Sequence, residues 1–224
     1  MDWQDKGYLL SINSYNENSA ILEIFTENHG KTSGILFGSR SKKIKNYLFI
    51  GNKFHVNYSS KFEGKIGSFK LEPDSINTPL YLNIKKKFFC IVYSINLVKL
   101  LTVDNQENNN LFLLLDNFFE FVKSENWLSM FVLWELEIFK TVGYDINFND
   151  YVDKIVDKVS EKYIVKNTNK EIPSYLINKN TSNKNTHELI LGLKILGDYL
   201  DKTILRPNNI NYPSSRIDFI NSLK

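Results

Sequence analysis

The first 80 residues carry short apolar runs broken by polar turn clusters. "GYLLSI" (Gly7–Ile12) and "AILEIF" (Ala20–Phe25) are separated by "NSYNENS", and "TENHG" leads into "KTSGILFG", which ends at Gly38. "KFHVNYSS" and "KIGSFKLE" follow. Phe54, Val56 and Tyr58 alternate onto one face, and Ile66, Phe69 and Leu71 mostly share another. Five short strands in about 70 residues predict a small closed barrel of the OB type, with a five-stranded SH3-like barrel fitting nearly as well. Pro73 and Pro79 bracket "DSINT", read as a linker.

Beyond it the period changes. The apolar stretch from Leu80 to Leu101 predicts a long helix. Leu111–Ser124 and Trp127–Tyr144 predict two more, the second apolar on most faces and stopped by Gly143. Residues 145–184 carry weak signals and predict irregular structure with short elements. A helix is expected to start at Asn185, with Glu188 at capping-box spacing, and to run to Pro207. A short helix over Ser215–Leu223 ends the chain. The expected fold class is α+β. The expected domains are an OB-fold over residues 1–79 and an α-helical domain over 80–224.

Charge changes this picture in one place. The formal net charge is only +3 over 224 residues. Yet Asn28–Lys70 holds nine Lys or Arg against one acid, Glu63. Within it, "GSRSKKIK" places Arg40, Lys42, Lys43 and Lys45 in eight positions behind a glycine and between serines. Asn, Lys and Ile are abundant throughout, as in the product of an A+T-rich genome, so lysines alone overstate the case. Arg40 says more, because Arg206 and Arg216 are the only other arginines. Cationic side chains on a Ser/Gly-flanked loop suit phosphate backbones. The candidate DNA-binding residues are therefore Arg40, Lys42, Lys43 and Lys45, flanked by Lys31 and Lys65. Of the nearby aromatics, Tyr47, Phe49, Phe54, Tyr58, Phe62 and Phe69, half or more are expected to fill the barrel, and Tyr47 and Phe62 to be exposed for base stacking. The run Lys85–Lys87 either extends the positive surface or forms a polar helix face.

Other chemistry finds little support. No phosphate-binding loop, dinucleotide fingerprint, zinc-protease helix or nucleophile elbow is present, so no enzyme is expected. His29, His55 and His187 lie far apart and read as turn, strand or helix-surface residues. Asp150, Asp153 and Asp157 would share one face of a helix, as a metal-dependent nuclease would need, but interleaved lysines favour a solvated face. The single cysteine, Cys90, excludes an internal disulfide and reads as a buried small hydrophobe. No cofactor, signal peptide or membrane span is expected, and the lone cysteine points to a reducing cytoplasm.

Tyr15, Glu17 and Ser19, then Phe25-Thr26, His29-Gly30 and Gly38–Lys42, resemble the opening of the RecO family of bacterial DNA repair and recombination proteins. "WELEIFKTVGYDINF" is similar to that family's helical part, through Glu135, Leu136, Gly143 and Tyr144. The tail from Leu196 to Leu223 is similar to the ending of α-proteobacterial members. The resemblance implies an OB-fold and a helical domain. It also implies binding of single- and double-stranded DNA and annealing of complementary strands. With RecR, and in some settings RecF, such a protein helps load RecA onto DNA coated by single-stranded-DNA-binding protein. Two departures stand out. Many members bind zinc through cysteines that begin shortly after the "GY" motif, where this chain has Tyr151, so no zinc is expected. The family's pocket for the coating protein's tail uses basic residues on the helical domain, whereas "SMFVLWELEI" lacks an arginine. The other function class compatible with the residues is a non-catalytic protein–protein adaptor that does not touch DNA.

Overall fold

The computed structural model describes residues 1–224 except 63, 157–160, 167–169 and 182–183. The chain divides into two compact units. One holds Met1–Phe112 with Pro213–Ser222, the other Leu113–Tyr212 with Leu223–Lys224.

The first unit is built on five strands: β1 (Asp2–Asn16), β2 (Ser19–Thr26), β3 (Gly30–Phe37), β4 (Lys53–Ser59) and β5 (Gly67–Ser75). They close into a barrel in the order β1-β2-β3-β5-β4, with β3 and β5 parallel and a one-turn helix α1 (Lys42–Lys45) between β3 and β4. This five-stranded barrel is an OB-fold, which settles the choice against an SH3-like one. β1 is longer than its apolar run implies. Asp2–Tyr8 pair with β4 and Gly7–Asn16 with β2, so polar residues at both ends are held by ladder bonds rather than by burial. The closing seam pairs Gly34 with Gly67. A Cβ on Gly34 would sit 2.6 Å from the Phe69 ring and one on Gly67 2.5 Å from Tyr58, so side chains from neighbouring strands occupy the space both glycines leave.

Leu9, Leu22, Ile24, Leu36, Phe54, Val56 and Phe69 fill the barrel, with Tyr58 and Leu71 packed against them, so Phe54, Val56 and Tyr58 share one face, and Phe69 and Leu71 share another, as expected. Ile66 instead precedes β5 in a turn and is exposed. The expected linker also differs: β5 runs through Pro73 to Ser75. Pro73 opposes Phe54 beside a register shift, a bulge position that tolerates the missing N–H.

Helix α2 spans Lys85–Leu101 rather than starting at Leu80, because Pro79 opens a separate 3-10 turn over Thr78–Tyr81. Cys90 is fully buried in it. Glu23 on β2 accepts from the Lys99 ammonium of α2, and Tyr8 and Phe25 pack on Phe112, 5.6 and 6.2 Å between ring centroids. Helix α7 (Ser214–Leu223) stacks Phe219 on Tyr93, and the guanidinium of buried Arg216 lies over the same Tyr93 ring.

The second unit contains most of α3 (Asn109–Phe121), then α4 (Trp127–Thr141). Phe118, Phe131 and Trp134 form an aromatic cluster, and Trp134 Nε1 donates to the Leu114 carbonyl at 2.7 Å. Gly143 takes φ +91° just past α4, where the Gly143 and Tyr144 N–H groups reach back to Lys140 and Phe139, as a helix-ending glycine should. Short elements follow, including an antiparallel sheet of β6 (Val152–Val156), β7 (Glu161–Val165) and β8 (Glu171–Ile172), and α5 (Tyr175–Asn178). The capping box at Asn185 and Glu188 forms as expected at the start of α6 (Thr186–Tyr199). A wide turn over Leu200–Leu205 and a 3-10 turn at Pro207 end it.

Candidate nucleic-acid interface

β3 ends at Phe37, and Gly38 turns the chain at φ +70°. Ser41 then caps α1, its hydroxyl accepting from the Ile44 N–H at 3.4 Å. One helical turn has two sides, and the sequence divides them sharply. Ile44, with Tyr47 and Leu48 behind it, packs on the barrel core. Arg40, Lys42, Lys43 and Lys45 are exposed. No carboxylate among the described residues lies within ion-pair distance of these four cations. Among the described residues no carboxylate compensates their field, and a polyanion meets four exposed cations within Arg40–Lys45.

The flanking cations have different positions. Lys31 is the second residue of β3, roughly 20 Å from the strand's far end at the usual rise. Its ammonium donates to the Lys99 and Thr102 carbonyls at 3.2 and 2.8 Å and pairs with Asp104 at 3.1 Å. It closes the C-terminal end of α2, where the helix dipole favours a cation. Lys53 lies 4.9 Å from the Phe112 ring centroid, and its stem is half-buried. Lys61 and Lys65 are exposed in the turn between β4 and β5, so they sit at the other end of β4 from α1. Of the two aromatics expected outside, Phe62 is exposed, with the Lys65 ammonium 5.1 Å over its ring, whereas Tyr47 is half-buried against Phe54.

Beside Lys65 opens a cleft of about 600 Å³ at that end of the barrel. Its walls include Trp3, His29, Tyr58, Asn28, Ser33 and Lys65. Trp3 and Tyr58 are cross-strand partners, and their rings stack at 4.8 Å and 19°. His29 stacks on Trp3 at 4.1 Å and 8°. Asp5 holds the imidazole, accepting at 2.8 Å from Nδ1, and it also takes the Asn28 N–H, the Asn28 side-chain amide and the Lys6 N–H. Burial pushes the Asp5 carboxyl up, but the hydrogen bonds from His29, Asn28 and Lys6 together outweigh it and leave the pKa below the usual aspartate value. The sequence reading missed this pile because it started β1 at Gly7. The alternation Trp3, Asp5, Gly7 was the available signal.

The acidic nuclease constellation does not form. Asp150 lies in a 3-10 turn and Asp153 on β6, not on one helix face, and Asp157 lies outside the described residues. No group of three or more His, Cys, Asp or Glu among the described residues is placed to hold a metal ion, and no described helix is long and apolar enough to cross a membrane. His55 is exposed beside Asp74, and His187 is exposed at the start of α6. In the helical unit, a second cleft of about 500 Å³ is lined by Leu114, Phe121, Met130, Leu133 and Trp134 with Glu120, and by no Lys or Arg among the described residues.

A five-stranded barrel carrying an exposed cationic turn, followed by a helical unit, defines the class as an OB-fold protein. Residues 1–71 match the family model "Recombination protein O N terminal", and residues 86–168 match "Recombination protein O C terminal". The chain belongs to the RecO family of DNA repair proteins. It is 28% identical over 151 residues to a DNA repair protein RecO of Ehrlichia chaffeensis, covering 66% of this chain and 61% of that one. It is 28% identical to one from Wolbachia pipientis over 96% of this chain and 97% of the relative. A Caulobacter vibrioides RecO is 41% identical over 73 residues, 33% of this chain and 30% of the relative. The matched stretch spans less than two thirds of the Ehrlichia protein.

Proposed function

We propose that this chain is a non-enzymatic DNA-binding mediator of recombinational repair that grips nucleic-acid backbones through Arg40, Lys42, Lys43 and Lys45. The supporting observation is the one-turn helix α1, whose apolar side is committed to the barrel, and whose three lysines, with Arg40 just before its cap, have no carboxylate partner among the described residues. Lys65 contributes a contact at the other end of β4. Lys31 contributes only long-range field, because its ammonium is engaged at the end of α2. The mechanism is electrostatic. Each phosphate neutralised releases counterions, so binding is sequence-independent and salt-sensitive. Two strands held on one positive surface repel each other less and meet at higher local concentration, so complementary strands pair faster without ATP. In the cell this places the protein on the nucleoid. With RecR, and RecF where it takes part, it helps RecA replace single-stranded-DNA-binding protein. The domain that meets DNA is the OB-fold of residues 1–79, and the helical remainder meets protein partners.

The test is a titration of a labelled single-stranded oligonucleotide by fluorescence anisotropy at low and moderate salt, with a strand-annealing assay beside it. Binding that weakens steeply with salt, and annealing without ATP, are expected. A chain that leaves both strands free at low salt overturns the reading and leaves the adaptor class.

A further inference from the structure

The cleft at the Lys65 end of the barrel is not part of the cationic turn. We infer that it takes a single unstacked nucleobase of a bound strand, laid on the exposed face of His29. The inference rests on the DNA-binding reading above and names a subsite within it.

Three observations carry it. First, the rings of His29, Trp3 and Tyr58 lie nearly parallel, at 8° and 19°. Most other aromatic pairs among the described residues tilt or meet edge-on, as packed interiors commonly do, the Phe118 pairs with Phe119 and Phe121 at 71° and 89° among them. A parallel pile that reaches a cleft is the geometry a further flat ring extends. Trp3 covers one face of His29, and the imidazole side chain is still 30% exposed at the cleft.

Second, the imidazole is preorganised. The Asp5 carboxylate that holds Nδ1 is 1% exposed and has three other hydrogen bonds. The ring plane is therefore fixed before any ligand arrives, and little rotamer freedom remains to be lost on binding.

Third, the walls suit a base and not a phosphate. The Ser33 hydroxyl and the Asn28 amide oxygen offer hydrogen-bonding groups to a base edge, the Asn28 amide nitrogen being bonded to Asp5. Glu107 on another wall repels an anion inside the cleft, while Asp104 beside it is paired with Lys31. The cation Lys65 stands where the cleft meets the β4–β5 turn, placed for the phosphate beside that base. A volume of about 600 Å³ has room for one base with solvent.

The experiment compares an ordinary single-stranded oligonucleotide with one of equal length made of abasic units, for the full chain and for His29→Ala and His29→Phe. His29→Ala removes the stacking face, while Asp5 keeps its bonds to Asn28 and Lys6. His29→Phe keeps a ring and loses the Asp5 bond. The full chain should prefer the base-bearing strand. His29→Ala should lose about five- to 150-fold affinity for it and none for the abasic strand. His29→Phe should retain most of the preference, and the salt slope should be the same in all three. Equal losses on both strands, or no loss at all, overturn the base subsite and leave the cationic turn standing. No binding of either strand by the unaltered chain overturns both readings.

Discussion

Replacing Arg40, Lys42, Lys43 and Lys45 together by alanine isolates the electrostatic part of DNA binding. All four are exposed, and none has a described ion-pair partner, so their removal breaks no salt bridge within the described structure. Ile44, the residue that seats α1 on the barrel, is untouched, and alanine favours the helical turn. The melting temperature should therefore stay within about 2 °C. If each cation meets one phosphate of a single strand, four contacts contribute about 2.8 to the slope of log K against log salt, at about 0.7 each. Between about 50 and about 200 mM salt that share alone weakens binding roughly 50-fold. The variant should lose this share: far weaker binding at low salt, converging on the parent at high salt. Anisotropy titrations at four salt concentrations measure both slopes. Parallel lines would refute the assignment, because they would mean that these cations neutralise no phosphate.

Further outcomes follow from particular contacts. Asp5 binds its proton less tightly in the folded chain than in the unfolded one, so its contribution to stability is complete above about pH 4 and is lost as pH falls through its lowered pKa. Asp5→Asn should be less stable than the parent at pH 6, with the gap narrowing in acid; urea unfolding at both pH values checks this, and a constant gap sinks it. Gly30 and Gly38 both have positive φ, but a Cβ on Gly30 would lie 2.0 Å from the Gln106 carbonyl oxygen, whereas one on Gly38 meets open space. Gly38→Ala should cost about 1–2 kcal/mol and Gly30→Ala clearly more, read as melting temperatures. Asn185→Ala removes the α6 cap and should cost about 1 kcal/mol, seen as faster amide exchange in the first turn of that helix.

The resemblance to the RecO family and the barrel are both legible in the sequence, for different reasons. The family shows in short motifs whose residues are read directly. The barrel shows in period-2 alternation, since a strand that lines a core must place every second side chain inward. Of the candidate interface, α1 was legible as a cluster because its cations are sequence neighbours. The cleft was not, because residues 3, 29 and 58 become neighbours only when β1 pairs with β4 and the β2–β3 turn folds over them.

The chain's local chemistry by itself determined the approximate position of each barrel strand, the stop at Gly38, the helix end at Gly143, the capping box at Asn185 and the burial of Cys90. Each depends on forces acting within a few residues, or on one side chain's aversion to water. Tertiary structure alone decided that β3 runs parallel to β5, that Lys31 spends its charge on the end of α2, that Asp150 and Asp153 leave any common helix, and that Trp3, His29 and Tyr58 stack. Those outcomes come from pairings between distant segments, where backbone hydrogen bonds and close packing choose partners that no local window contains.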